Sequence, residues 1–175
     1  KSAYGKGRGT LGGEPKPGVE LEALMGTERD PERLKEMWRS WHAVGVPMRQ
    51  DYVRLVEIAN AGARELGFSD LGAMWRSGYD MPADDFTREA ARLFKQVEPL
   101  YRDLHCYARG RLQGIYGKKR VADSEPIPAH LLGNMWSQDW STIKSVFLPE
   151  QAAGAINLEA ALRAKKVDER EMVRY

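Results

Sequence analysis

The feature that most constrains this chain is an apolar stripe that holds helical phase for more than thirty residues. From Pro82 to Tyr116, Phe86, Ala90, Leu93, Val97, Leu100, Leu104, Ala108, Leu112 and Ile115 follow one another at three- and four-residue steps. That spacing returns each side chain to one face of an α-helix and puts strand alternation out of phase within a few positions. Pro82 opens the stretch and Gly117 closes it, while Pro99 in its middle predicts a kink or a break. A helix this long with one apolar face needs other helices to cover it.

The rest of the chain supplies them. Asp30-Pro31 reads as an N-cap followed by proline at the first helical position, with Leu34, Met37, Trp38 and Trp41 behind it as a core stripe. Residues 47–66 predict a second helix, on which Met48, Tyr52, Leu55, Val56, Ala59, Ala63 and Leu66 share a face. Ser69 is read as the cap of a short helix carrying Met74 and Trp75. Pro128 opens a further expected helix, with Leu132, Met135, Trp136, Trp140 and Ile143 on its apolar side and Asn134, Gln138 and Ser141 aligned on another. Residues 156–165 and 168 onward suggest two more, the second with Asp168 and Glu171 in a capping-box arrangement. Residues 1–18 contain six glycines and two prolines and read as a loop or tail, leaving 19–175 as the helical part. No segment gives a convincing strand pattern, so the fold class is all-α. Lys1 in place of Met, and Tyr175 inside a helical pattern, suggest a chain cut at both ends.

Composition removes several functions. With 27 basic and 25 acidic residues the net charge is +2, a balance that gives no case for a nucleic-acid partner. No apolar run approaches the roughly 18 residues of a membrane span; these 175 residues hold no targeting segment, which says nothing of the parent because the start is expected to be missing. The glycine-rich opening lacks GxxxxGK[ST] and a preceding strand, so it is not a phosphate cradle. The single cysteine, Cys106, cannot form an internal disulfide and is expected as a buried structural thiol. His42, His105 and His130 are far apart and none has the HxxxH spacing with which one helix grips a metal. His105 and Cys106 are adjacent, so on a helix they diverge and cannot act as a nucleophile–base pair. No catalytic residue and no metal ligand is assigned. Asn134, Gln138 and Ser141 remain: by spacing alone they are either a solvated helix face or a polar strip for a peptide ligand, since an amide can bind a carboxylate without burying a charge.

The residues of several segments carry a resemblance. Glu125 to Trp140, EPIPAHLLGNMWSQDW, is similar to the pattern GPIPAHLLGNMWAQxW of the angiotensin-converting-enzyme family. AMWRSGYD, Ala73 to Asp80, resembles its WRSxYE stretch, and VEPLYRDLHCYARGRL resembles QPLYxxLHAYVRRxL. The match runs in order from about Leu21 to Trp140 and more weakly to Tyr175. It implies a multi-helix portion of a larger two-lobed helical metallopeptidase, whose parent is a zinc peptidyl-dipeptidase releasing dipeptides from peptide C-termini. In that chemistry a zinc-bound water, activated by the glutamate of HExxH, attacks the scissile carbonyl. HExxH does not occur in this sequence, so zinc, its ligands and the catalytic groups are expected in the remainder of the peptidase domain, and this chain alone is expected to be inactive.

Residue by residue, the resemblance implies little more. Gln138 matches a glutamine that helps hold the substrate's C-terminal carboxylate, which makes the peptide C-terminus the expected partner. Tyr79 matches a tyrosine at a chloride site, with Trp75 beside it; chloride is therefore a further expected ligand. Asp139 stands where members vary and is expected to tune the pocket. His42 replaces an arginine that binds a second chloride in some members, which puts that site in doubt. The parent is expected to be periplasmic, extracellular or membrane-associated, and bacterial. The alternative, from another class, is a non-catalytic helical peptide-binding module; a purely structural bundle would leave Gln138 without a role.

Overall fold

A computed structural model describes residues 3–148 together with 161, 162, 164, 165 and 167. The chain divides into two units, 1–143 and 144–175. In the first, a two-stranded antiparallel hairpin, β1 (Gly9–Leu11) and β2 (Glu14–Lys16), precedes α1 (Gly18–Thr27), α2 (Pro31–Ala43), α3 (Arg49–Glu65), α4 (Leu71–Arg76) and α5 (Ala83–Tyr116). Of the second unit, α6 (Lys144–Phe147) is described. The fold is all-α, with this one small sheet among the described residues. The helices expected over 156–165 and from Asp168 lie outside the described residues, apart from positions 161, 162, 164 and 165.

The core of the first unit is built around α2. Asp30 caps it as its sequence suggests, its carboxylate accepting from the backbone N–H of Glu32 and of Arg33, both at 2.9 Å. Leu34, Met37 and Trp41 are buried on one face, and Leu21 and Met25 of α1 are fully buried with them. The glycine-rich opening is not a plain loop. Gly12 and Gly13 have φ of +62° and +79°, a two-residue turn whose left-handed pair suits the twist of a hairpin and favours glycine at both positions. The hairpin is strapped to α2: Glu36 accepts from the N–H of Gly12 (3.0 Å) and Gly13 (3.2 Å), Ser40 Oγ accepts from Thr10 N at 2.8 Å, and Trp41 Nε1 donates to the Tyr4 hydroxyl at 2.9 Å.

The longest helix is present in full. α5 runs unbroken through Pro99 for 34 residues, so the break left open by the sequence does not occur. Its buried residues are Ala108 and Leu112, one turn apart. Beside them Gln113 Nε2 donates to Val121 O (2.9 Å) and to Asp123 (2.7 Å), and Arg109 donates to the carbonyls of Ala122 and Glu125, which ties the following loop back onto the helix. Cys106, expected to be buried, is exposed; it stands two positions, about 200° around the helix, from Ala108. Ser69 does not cap α4. Asp70 does, accepting from Ala73 N at 2.7 Å, because its shorter reach to the third N–H of the helix fits the N-cap position.

Much of the apolar patterning is left uncovered. On α3 only Ala63 is buried, while Tyr52, Leu55 and Val56 are exposed; on α5 the same holds for Leu93, Phe94, Val97, Leu100 and Leu104. Burying such surface is the main favourable term in folding, and a patterned face without cover is an interface in waiting.

The junction before α2 carries an acid-sensitive contact. Glu28 accepts from the N–H of Asp30 (3.0 Å) and Arg29 (2.8 Å) and from Arg33 Nε (2.6 Å). The Asp30 backbone N–H first, then the Arg33 side chain and the Arg29 N–H, lower its pKa from 4.5 to about 2. Because the folded value lies below the unfolded one, the stabilisation is complete above pH 4.5 and is lost as pH falls towards 2. Thermal melts across that window are expected to fall steeply for the parent chain and less steeply for Glu28→Gln, which is less stable at neutral pH; equal slopes would show that Glu28 is not the group responsible.

Candidate functional site

The segment expected as a helix from Pro128 to Ile143 is not one. Ala129–Leu131 form a single 3₁₀ turn, Ser141–Ile143 another, and the residues between are bends around a turn at Met135 and Trp136, followed by irregular backbone over 138–140. Leu132, Met135, Trp136, Trp140 and Ile143 mimic helical spacing, but the polar residues between them compete for the backbone. Asn134 Oδ1 accepts from Trp136 N (3.0 Å) and Gln138 N (3.4 Å). Ser137 Oγ donates to Ala129 O at 2.9 Å, and Thr142 Oγ1 to Gly133 O at 2.7 Å. Gly133 has φ of +87° and Ser137 has φ of +58°, the one non-glycine residue at positive φ among those described. A serine held in the left-handed region costs on the order of 1 kcal/mol and persists only where its surroundings fix it. Asn134 and Ser141 are therefore not ligand-facing partners of Gln138 on a shared helix face; Asn134 organises the backbone that presents it.

Gln138 itself is exposed and lines a recess of about 390 Å³. Tyr101, Leu104 and His105 of α5 form one side, and Leu132, Ser137 and Trp140 complete it with Gln138. His105 stands between two rings: its centroid lies 4.4 Å from that of Tyr101 and 5.2 Å from that of Trp140, the latter edge-to-face. Trp140 Nε1 donates to Ser137 O at 3.2 Å, so the ring that meets His105 is fastened to the residue next to Gln138. Asp139, beside Gln138, has its carboxyl held below the usual range by the backbone N–H and then the hydroxyl of Ser141; its Oδ1 accepts from Ser141 N at 2.8 Å, capping the following turn, and it does not line the recess. Tyr101 and His105 are the site residues that sequence reading missed. They lie 33 or more positions from Gln138, and no local pattern connects them.

The chloride candidates lie elsewhere. Trp75, on α4, is 70% exposed, and Tyr79 is 57% exposed and stacked on Phe86 at 4.4 Å. Neither lines the Gln138 recess. His42 is packed between Trp38, stacked at 4.0 Å, and Trp136 at 5.5 Å, and Nδ1 lies 2.7 Å from Trp38 O. His130 is half-buried, and burial, helped by Lys35, lowers its pKa; an imidazole in that setting is disposed to stay neutral. Among the described residues no three His, Cys, Asp or Glu side chains gather closely enough to hold a metal ion. The donor set that zinc requires does not fit the residues described.

With the geometry in place, likeness to known proteins decides the family. The family model described as angiotensin-converting enzyme matches residues 5–175. The chain belongs to the angiotensin-converting-enzyme family. It is 40% identical to the pig angiotensin-converting enzyme (Sus scrofa) over 147 residues, 83% of this chain and 11% of that protein. It is 42% identical to the cattle enzyme (Bos taurus) over 131 residues, 74% of this chain and 10% of the relative. To the angiotensin-converting enzyme of the fly Haematobia irritans exigua it is 36% identical over 131 residues, 74% of this chain and 21% of that one. The chain thus spans about a tenth of the pig and cattle enzymes and about a fifth of the fly one. The Gln138 recess and α4 both fall inside the family match.

Proposed function

We propose that this chain supplies one wall of the substrate cleft of a zinc-dependent peptidyl-dipeptidase, with Gln138 receiving the peptide's C-terminal carboxylate. The observation that carries this reading is the recess: an exposed primary amide among its lining residues, just after a turn held by Asn134 and within the family match. The Gln138 side chain can donate two hydrogen bonds to a carboxylate without placing a buried cation beside the apolar rings of Tyr101 and Trp140. The turn carries the specificity, because the left-handed Ser137 and the Asn134 side chain set where the Gln138 backbone starts.

The remaining parts belong to the rest of the domain. Zinc supplies the Lewis acid and the activated water when bound, and its ligands lie beyond the described residues. Tyr79 and Trp75 present half of a chloride site, which an arginine from elsewhere in the domain completes. The exposed faces of α3 and α5 are the surfaces on which that remainder packs. The parent acts outside the cytoplasm or at a membrane; among the described residues no helix is long and apolar enough to cross one.

The test compares peptides ending in a free carboxylate with the same peptides ending in an amide, using the complete peptidase that carries this segment. Hydrogen bonds to a charged group are worth about 1.5–3 kcal/mol, so Gln138→Ala is expected to raise KM for the free acids about 10- to 100-fold. Amide substrates should change little. An unaltered preference for the free acid would remove Gln138 from the carboxylate site.

A further inference from the structure

We infer that His105 is the positioning residue of the carboxylate recess: it holds the Gln138 turn against α5 by packing on Trp140. The inference rests on the reading of Gln138 just given and adds to it a residue from a different element.

Gln138 is not on a helix, so no ladder of backbone hydrogen bonds fixes its height above α5. The hydrogen bonds from Gln138 N to Asn134 Oδ1, from Trp140 Nε1 to Ser137 O and from Ser137 Oγ to Ala129 O lie within the turn segment itself. They set the turn's shape, while buried Leu131, Leu132, Met135 and Ile143 and the Arg29–Thr142 hydrogen bond anchor the segment on either side of the exposed Gln138. What crosses from α5 to the turn at this point is the ring of His105, 5.2 Å from Trp140 at an interplanar angle of 62°. Edge-to-face pairs at that separation are attractive beyond the area they bury. The imidazole also contacts the ring of Tyr101, 4.4 Å away and one helical turn earlier. The helix therefore presents a ring paired with a second one. Trp140 takes up its position on it, and through Trp140 Nε1 and Ser137 O that position passes to the residue preceding Gln138. Among the described residues no hydrogen bond engages the His105 ring nitrogens, so shape and ring contact are what the residue offers the turn.

Packing and polar contact make opposite demands on substitution. His105→Phe keeps an aromatic ring between Tyr101 and Trp140 and removes the nitrogens; His105→Ala removes the ring. In the complete peptidase, losing an edge-to-face contact is expected to cost about two- to tenfold in KM for free-carboxylate peptides. That cost should fall on His105→Ala, with kcat and the KM of C-terminal amide peptides near those of the parent, and His105→Phe should recover most of it. Unchanged KM in His105→Ala overturns the inference. So does a His105→Phe as impaired as His105→Ala, which would place a ring nitrogen on the substrate, and so does an equal loss on acid and amide peptides, which would make the effect a general one on folding. Gln138→Ala, run in parallel, separates the two ideas. If it abolishes the acid preference while His105→Ala does not, only the positioning role fails; if it leaves the preference intact, the carboxylate reading itself fails and the positioning role with it.

Discussion

Gly133→Ala is expected to lower the stability of the chain by about 3 kcal/mol, combining about 1–2 kcal/mol for a left-handed alanine with about 1–3 kcal/mol for overpacking. Two costs act together at this position. The backbone holds φ of +87°, and an added Cβ would lie 2.6 Å from Thr142 Oγ1 and 3.1 and 3.2 Å from two carbons of Ile143. Neither neighbour can easily yield, since Thr142 Oγ1 is engaged with Gly133 O and Ile143 is buried. Gly114→Ala is the control. It lies inside α5 with open space where its Cβ would go, so it should be neutral or stabilising by about 0.5–1 kcal/mol. Urea unfolding at low chain concentration distinguishes them; equal midpoints would mean that the 128–143 segment is not the tightly wound turn described here.

The second large effect concerns the uncovered faces. Leu55 is 57% exposed on α3 and Leu100 73% exposed on α5, each within a run of apolar neighbours. In isolation the chain is expected to bind an apolar dye strongly and to self-associate at rising concentration, because water is a poor solvent for contiguous apolar surface. Lysine at Leu55 and Leu100 should reduce both effects while leaving helix content intact, as neither position is part of the buried core. A chain that ignores the dye and stays monodisperse as its concentration rises would contradict this.

Where the sequence was legible, and where it was not, follows from the range of the forces involved. α5 was readable from end to end because nine in-phase positions overwhelm one internal proline, and α2 because Asp30 and Pro31 mark its start locally. α1 escaped notice: Gly18–Thr27 is apolar around much of its circumference, and Leu21 and Met25 are buried by α2 rather than marked by a stripe. The hairpin did leave a signal, the paired glycines 12 and 13, but three-residue strands give too short an alternation to read. The 128–143 segment departs from its helical spacing because Gly133 adopts a left-handed φ and the side chains of Asn134, Ser137 and Thr142 bond to the backbone in place of a helical ladder. Gln138 came from family resemblance rather than from pattern. His105 could be dismissed as a metal ligand from sequence, yet its role beside Trp140 needs the chain brought back on itself across 35 positions, which no local rule supplies.

The decisive measurement is reassembly. The 175-residue chain and the separately produced remainder of its peptidase domain are assayed for dipeptide release, alone and mixed, with dye binding followed in the same samples. If this chain is a cleft wall, neither part alone releases dipeptides, while the mixture does so and sheds the dye as α3 and α5 are covered. Zinc-dependent dipeptide release by the 175 residues alone, or a mixture that stays inactive with its apolar faces still open to dye, would show that the chain does something else.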